Sequence, residues 1–288
     1  MGAGLIAVCL WGLAPVATRS LVHELAPLPL LTLRQLLAAG VLLPWAVPAL
    51  RRTDARDLPR FIVAGLLGMV GYNLPVTVGL QWLPASSAGL LLATEPVWVL
   101  LIGLVFLGER AGLRILLGTG VALAGVAVIA GPAALSPGSG TRAVAGAALV
   151  LVATLAFGGY MIVLRPLSQK YGPVSATATS SVAGALPYLA LVGTVWPPRL
   201  SAPAGAELLF LALGSTVAGM LLWNLAVVRV GAGISRLLYL EPVVSVLGAM
   251  VFLGERVTAA VLAGGVLVIA GVLMMGDWMA WPRRSAPS

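Results

Sequence analysis

Charge is what this sequence has least of. Only 9% of its 288 residues are Asp, Glu, Lys or Arg, against about a quarter in a soluble domain. That deficit excludes an ordinary water-soluble globule. Lys170 is the one lysine, and no G-x-x-x-x-G-K-[ST] sequence occurs, so the chain has no phosphate loop for hydrolysing ATP. Cys9 is the one cysteine; it excludes an intramolecular disulfide and reads as a small packing residue in an apolar run. His23 is the one histidine, and without a Cys/His cluster the usual metal sets are argued against. No cofactor and no metal are expected. An enzyme embedded in the membrane would need His23, beside Glu24, to meet a serine in a pocket, and no H-E-x-x-H or G-x-S-x-G sequence supports one.

What the chain has instead is apolar length. Sixty per cent of it is hydrophobic, with a mean hydropathy of +1.06, in runs of about 20 residues that match a bilayer's thickness. Dyad alternation is missing, so a membrane β-barrel is not indicated. Breaking the runs at charges, prolines and glycines predicts ten helices near 3–22, 28–49, 60–81, 85–107, 112–131, 144–164, 174–196, 205–228, 232–253 and 257–276. The net charge of +8 does not form a nucleic-acid face, because the arginines sit in short connections. With the N-terminus inside, Arg51, Arg52, Arg56, Arg60, Arg110, Arg114, Arg165, Lys170, Arg229, Arg283 and Arg284 fall on the cytoplasmic side. The other side keeps Arg142, Arg199 and Arg256, with Arg19 and Arg34 near its membrane face. Basic residues favour the cytoplasmic leaflet, so both termini are expected in the cytoplasm, and the first apolar run, lacking a basic start, is expected to be a retained helix.

The chain also repeats itself. Val105-Phe-Leu-Gly-Glu-Arg110 returns as Val251-Phe-Leu-Gly-Glu-Arg256, and Glu95-Pro96 returns as Glu241-Pro242, all 146 positions later. Over residues 91–126 against 237–272, 17 of 36 positions match without a gap, where composition alone gives roughly one in ten. The offset is about half the chain, so one unit is written twice: residues 1–131, a turn-rich linker 132–142, residues 143–276, and a cytoplasmic tail 277–288. Five helices per unit is an odd number, so the second copy enters the membrane from the opposite side. The expected architecture is all-α and polytopic, ten transmembrane helices in two inverted five-helix repeats. Such repeats suit alternating access around a central site.

These residues resemble the EamA family of the drug/metabolite transporter superfamily: Trp11-Gly12 in the first helix, Arg34 in the second, and Glu-Pro followed by Leu-Gly-Glu-Arg in each half. The resemblance spans essentially the whole chain. It implies a ten-helix carrier of an inner or plasma membrane, many relatives of which export amino acids or other small metabolites. Arg19 stands where a lysine is common, and Ser180 replaces an arginine mate for Arg34. A multidrug exporter of lipophilic cations is the neighbouring alternative within the superfamily. The small four-helix relatives use an acidic residue in their first helix, and Ile6 to Ala17 has none.

Glu95 and Glu241 are the first site candidates. A carboxyl at mid-membrane depth costs roughly 2.5–3.5 kcal/mol on insertion scales and normally faces a cavity or the bundle interior. Pro96 and Pro242 are expected to kink their helices and free the carbonyls of Leu92 and Leu238. The competing account is a structural pair that only holds the kink, and the two readings weigh equally. Trp11, Tyr72, Asn73, Trp98, Tyr160, Trp223, Asn224 and Tyr239 complete the candidate substrate site, an aromatic wall with a few amides suited to a modest organic solute. Core packing accounts for about half of them, and Trp45, Trp196, Trp278 and Trp281 read as interfacial anchors. Arg34, about two turns inside the second helix, either holds a substrate carboxylate at the outer mouth or snorkels to the interface or pairs with a helix C-terminus, the second account being favoured. Arg19 and Arg165, closer to span ends, are expected to snorkel, and Glu109-Arg110 and Glu255-Arg256 to cap helix ends in short turns. Gly118, Gly120, Gly125, Gly264, Gly265 and Gly271 mark close helix contacts, within the bundle or at a homodimer seam.

Overall fold

The computed structural model describes residues 1–106, 112–134, 140–195, 200–230 and 237–275. They form ten long helices, α1 Gly2–Leu21, α2 Pro27–Arg51, α3 Ala55–Gly79, α4 Ala85–Val105, α5 Leu113–Ala134, α6 Gly140–Tyr171, α7 Pro173–Leu189, α8 Ala202–Val230, α9 Leu237–Leu253 and α10 Ala259–Met275, with a four-residue helical turn Val192–Val195 after α7. Seven are long and apolar enough to cross a membrane, and α9 and α10 are shorter apolar helices. Among the described residues there is no strand. The chain is an all-α, multi-pass membrane protein.

The two halves pack by rules that survive their exchange. α2 lies along α7, α5 along α10 and α4 along α9, while α1 packs on α8 as α6 packs on α3. The α5–α10 seam gives the sense. Gly118 meets the Gly271 carbonyl and Gly125 meets the Gly264 carbonyl, so the two helices run antiparallel. At the repeat offset Gly118 corresponds to Gly264 and Gly125 to Gly271, and the contact therefore maps onto itself. Repeat mates that pack antiparallel are inverted copies. A methyl group on Gly271 would sit 2.4 Å from the Ala122 nitrogen, so only glycine lets these backbones approach. These four glycines work inside the bundle; Gly265 faces Leu90, and Gly120 has nothing within 4 Å.

Several helices are irregular where the sequence reads as continuous. α1 breaks at Leu13. α3 and α8 carry π-helical stretches at matched positions, Leu66–Tyr72 and Phe210–Ala218. The Glu-Pro pairs do not kink a running helix: α4 stops at Leu92 and restarts at Glu95. In α9 a 3-10 turn over 237–240 precedes the α-helix that begins at Glu241. Proline at the second position of a new helix loses no bond, since that amide has no partner in any helix.

One end of the bundle is shut. Every residue of Ala85–Leu92 is buried, and Gly79 packs against the Gly146 carbonyl. The Glu255 carboxylate closes this end by accepting from Ala85 N at 2.7 Å, Ser86 N at 3.0 Å and Ser86 Oγ at 2.6 Å. Capping by the second Leu-Gly-Glu-Arg turn is thus present, but across repeats, on the first turn of α4. Arg19 donates to the Leu80 carbonyl at the C-terminal end of α3 rather than snorkelling. At the other end, Asp57 accepts from Lys170 Nζ at 2.7 Å and from the Tyr171 hydroxyl at 2.8 Å, and Asp54 also pairs with Lys170. Glu109, Arg110, Trp196, Arg199, Trp278, Trp281, Arg283, Arg284 and residues 135–139 of the linker lie outside the described residues.

Candidate functional site

The helix breaks bring Glu95 and Glu241 to one place. Each is the first residue of a restarted half-helix, and the two carboxyls lie within electrostatic range of each other. The break in α4 is held by i→i−3 bonds, Thr94 N to Leu91 O at 3.0 Å and Val97 N to Thr94 O at 2.9 Å, and by the Thr94 hydroxyl on the Leu91 carbonyl at 2.7 Å. α1 presses on the same centre. A methyl group on Gly12 would lie 2.7 Å from the Glu241 carbonyl oxygen, and Gly158, its repeat mate, approaches the backbone of Trp98 and Val99. Both glutamates are half-buried.

The π-helical stretch of α3 turns Tyr72 toward the acids. Its hydroxyl lies against the Glu95 carboxyl, and it is within electrostatic range of Glu241 and of Arg34. The Tyr72 ring packs on Phe157 with centroids 5.1 Å apart, and Phe157 packs on Tyr160 at 5.6 Å. On the α8 side Trp11 and Trp223 pair at 5.4 Å, and the Trp11 indole donates to the Ser215 carbonyl at 3.0 Å in the second π-helical stretch. Trp98 places a buried indole N–H that finds no acceptor among the described residues.

Other candidates sit differently. Asn73 donates its amide to the Gly68 carbonyl at 2.8 Å, and Asn224 donates to Met220 at 2.9 Å. Both amides are therefore engaged within their own helices. Tyr239 packs against Val97, Leu100, Ala122, Val272 and Met275, on the α5–α10 side of the bundle.

Arg34, expected at the interface, turns inward. Its Nε and Nη2 donate to the Thr216 hydroxyl at 3.3 and 3.2 Å, and Tyr72 and Tyr188 lie within its electrostatic range. Thr216 and Tyr188 escape a sequence reading. The available signal was Arg34 itself, two turns inside its span, where an inward arginine needs partners.

Seven spanning and two shorter apolar helices among the described residues, in inverted repeats, make this a multi-pass membrane protein. The EamA-like transporter family matches residues 1–131 and again 144–276. The chain belongs to that family. It is 35% identical, over 89% of its length and 86% of the relative's, to a "Probable terminal-alkyne amino-acid exporter" of Streptantibioticus cattleyicolor. It is 28% identical, over 93% and 91%, to a "Probable amino-acid metabolite efflux pump" of Salmonella typhimurium. A solved crystal structure superposes with a TM-score of 0.63 over 95% of each chain at 21% identity, a likeness of fold.

Proposed function

We propose that this protein is a secondary carrier that exports amino acids or closely related amphiphiles by alternating access, with Glu95, Glu241 and Tyr72 at its centre. The observation that carries the reading is that two glutamates, one from each repeat, stand at the first residues of interrupted helices and within electrostatic range of each other. Broken helices at matched places of two inverted repeats are where secondary transporters bind their cargo. The names of the two amino-acid-exporting relatives support the substrate class. Trp11, Trp98, Tyr160 and Trp223 supply apolar lining around the carboxyls, and Pro96 and Pro242 start the half-helices that hold them. The two repeat units are residues 1–131 and 143–276, the membrane is the inner or plasma membrane, and both termini are cytoplasmic. The chain performs no covalent chemistry, and flux is driven by the substrate gradient, by exchange, or by protons through the glutamates.

The test is uptake into proteoliposomes of labelled amino acids, nucleosides and lipophilic cations, with and without a pH gradient. Saturable amino-acid flux is expected. If Glu241 carries a coupling proton, Glu241→Gln abolishes pH-driven accumulation and leaves downhill exchange. Equal loss of both activities, together with loss of folded protein, would assign Glu241 to the framework instead.

A further inference from the structure

We propose that Arg34, held by Thr216, is the carboxylate-binding pole of the central site, and that the cargo is a zwitterion carrying a free carboxylate and an ammonium group. The inference rests on the carrier reading above and deepens it. Arg34 lies in α2, within a membrane span, where a guanidinium without a counter-charge is costly. Its recorded partner is a neutral hydroxyl. Thr216 donates its own proton to the Leu211 carbonyl at 2.9 Å, so its oxygen lone pairs are what face Arg34 Nε and Nη2. A hydroxyl orients a guanidinium but does not neutralise it. Among the described residues no Asp or Glu comes within 4.0 Å of Arg34: the ion pairs there are Arg60–Asp57, Lys170–Asp54 and Lys170–Asp57. A planar fork of donors fixed in place and lacking its anion is a receptor for a carboxylate.

The glutamates are the opposite pole. Tyr72 touches Glu95 and lies within electrostatic range of both Glu241 and Arg34. The same helix irregularity builds both poles. The π-helical stretch of α3 ends on Tyr72, beside Glu95, and its counterpart in α8 contains Thr216, beside Arg34. A bound amino acid can place its carboxylate on Arg34 and its ammonium on the glutamates, with its side chain against the aromatic residues. A lipophilic cation satisfies the acids and leaves Arg34 unpaired, which makes it the poorer fit.

The decisive experiment is counterflow in proteoliposomes with leucine, norvaline and phenylalanine, each run beside its amide and its N-acetyl derivative. Amidation removes the carboxylate and acetylation removes the ammonium, so wild-type protein tests the idea without a variant. Apparent affinity is expected to fall about 10- to 100-fold on either change, the usual worth of a hydrogen bond to a charged group. In Arg34→Gln the preference for acid over amide should disappear, while the preference for free over acetylated amine persists. Amides moved as well as acids by wild-type protein would overturn the carboxylate pole and leave the carrier standing. Saturable flux of lipophilic cations alone would overturn the zwitterion. Absence of any flux from folded protein would sink the carrier reading itself.

Discussion

Asn73 and Asn224 show how an amide in a membrane helix can be polar without being available. Each donates to a carbonyl of its own helix, five residues back for Asn73 and four for Asn224. The Asn73 bond spans a π-helical turn, where the usual i→i−4 amide bond is lost and a carbonyl is left for the side chain. Asn73→Ala is therefore expected to lower thermal stability by about 1 kcal/mol, the net worth of one such bond, with substrate preference unchanged. Melting of the purified variant beside a counterflow series checks this. A change in preference at unchanged stability would return Asn73 to the substrate wall. Sequence could not make the distinction, because an amide that serves its own backbone and one that serves a ligand are spelled the same way. Arg34 presents the same difficulty in reverse: snorkelling and inward-facing arginines differ only in what lies opposite, and Thr216 is 182 positions away.

Among the elements, α4 is the one whose ends do most. Its middle breaks to present Glu95, and its first turn is held from the other repeat by Glu255. A carboxylate on the free amides of a helix start answers both the unpaired donors and the helix dipole. Glu255→Gln keeps the shape, removes the charge and turns one of the two accepting oxygens into an NH2 that cannot accept from an amide, so at least one backbone bond is lost and what remains drops to the neutral class. Amide hydrogen exchange at Ala85 and Ser86 is expected to quicken by about tenfold or more, with the middle of α2 unchanged as a control. An unchanged rate would show that packing alone holds the turn. The repeated Leu-Gly-Glu-Arg made helix capping legible in the sequence, and the repeat itself gave the inversion through the odd number of helices. The π-helical stretches and the break before Glu95 were not legible. Leu, Gly and Ala fill α and π turns alike, and a proline inside a helix reads the same as one near the start of a new helix.

For the whole molecule, the inverted repeat turns a static asymmetry into an expectation about motion. If two units share one fold, a difference between equivalent positions marks the state rather than the design. Leu83, at the shut end, is 3% exposed and packs on Gly146; its repeat mate Arg229 is exposed. Beside them Gly79 is buried while its mate Leu225 is 38% exposed, although Leu80 and its mate Ala226 are both buried. Exchanging the two units' conformations would open the Leu83 end and close the Arg229 end, which is alternating access in its simplest form. Cys9 is the one native cysteine, so Cys9→Ala gives a background for labelling Leu83→Cys and Arg229→Cys separately. In detergent a polar maleimide reaches both ends, and Arg229→Cys is expected to react faster than Leu83→Cys. A cargo that both states bind during transport should then raise the Leu83→Cys rate and lower that of Arg229→Cys. Opposite changes at the two ends are the signature of exchange between inverted units. Rates that rise together would mean that the bundle loosens as a whole, and rates that ignore a transported cargo would mean that this end of the molecule does not gate.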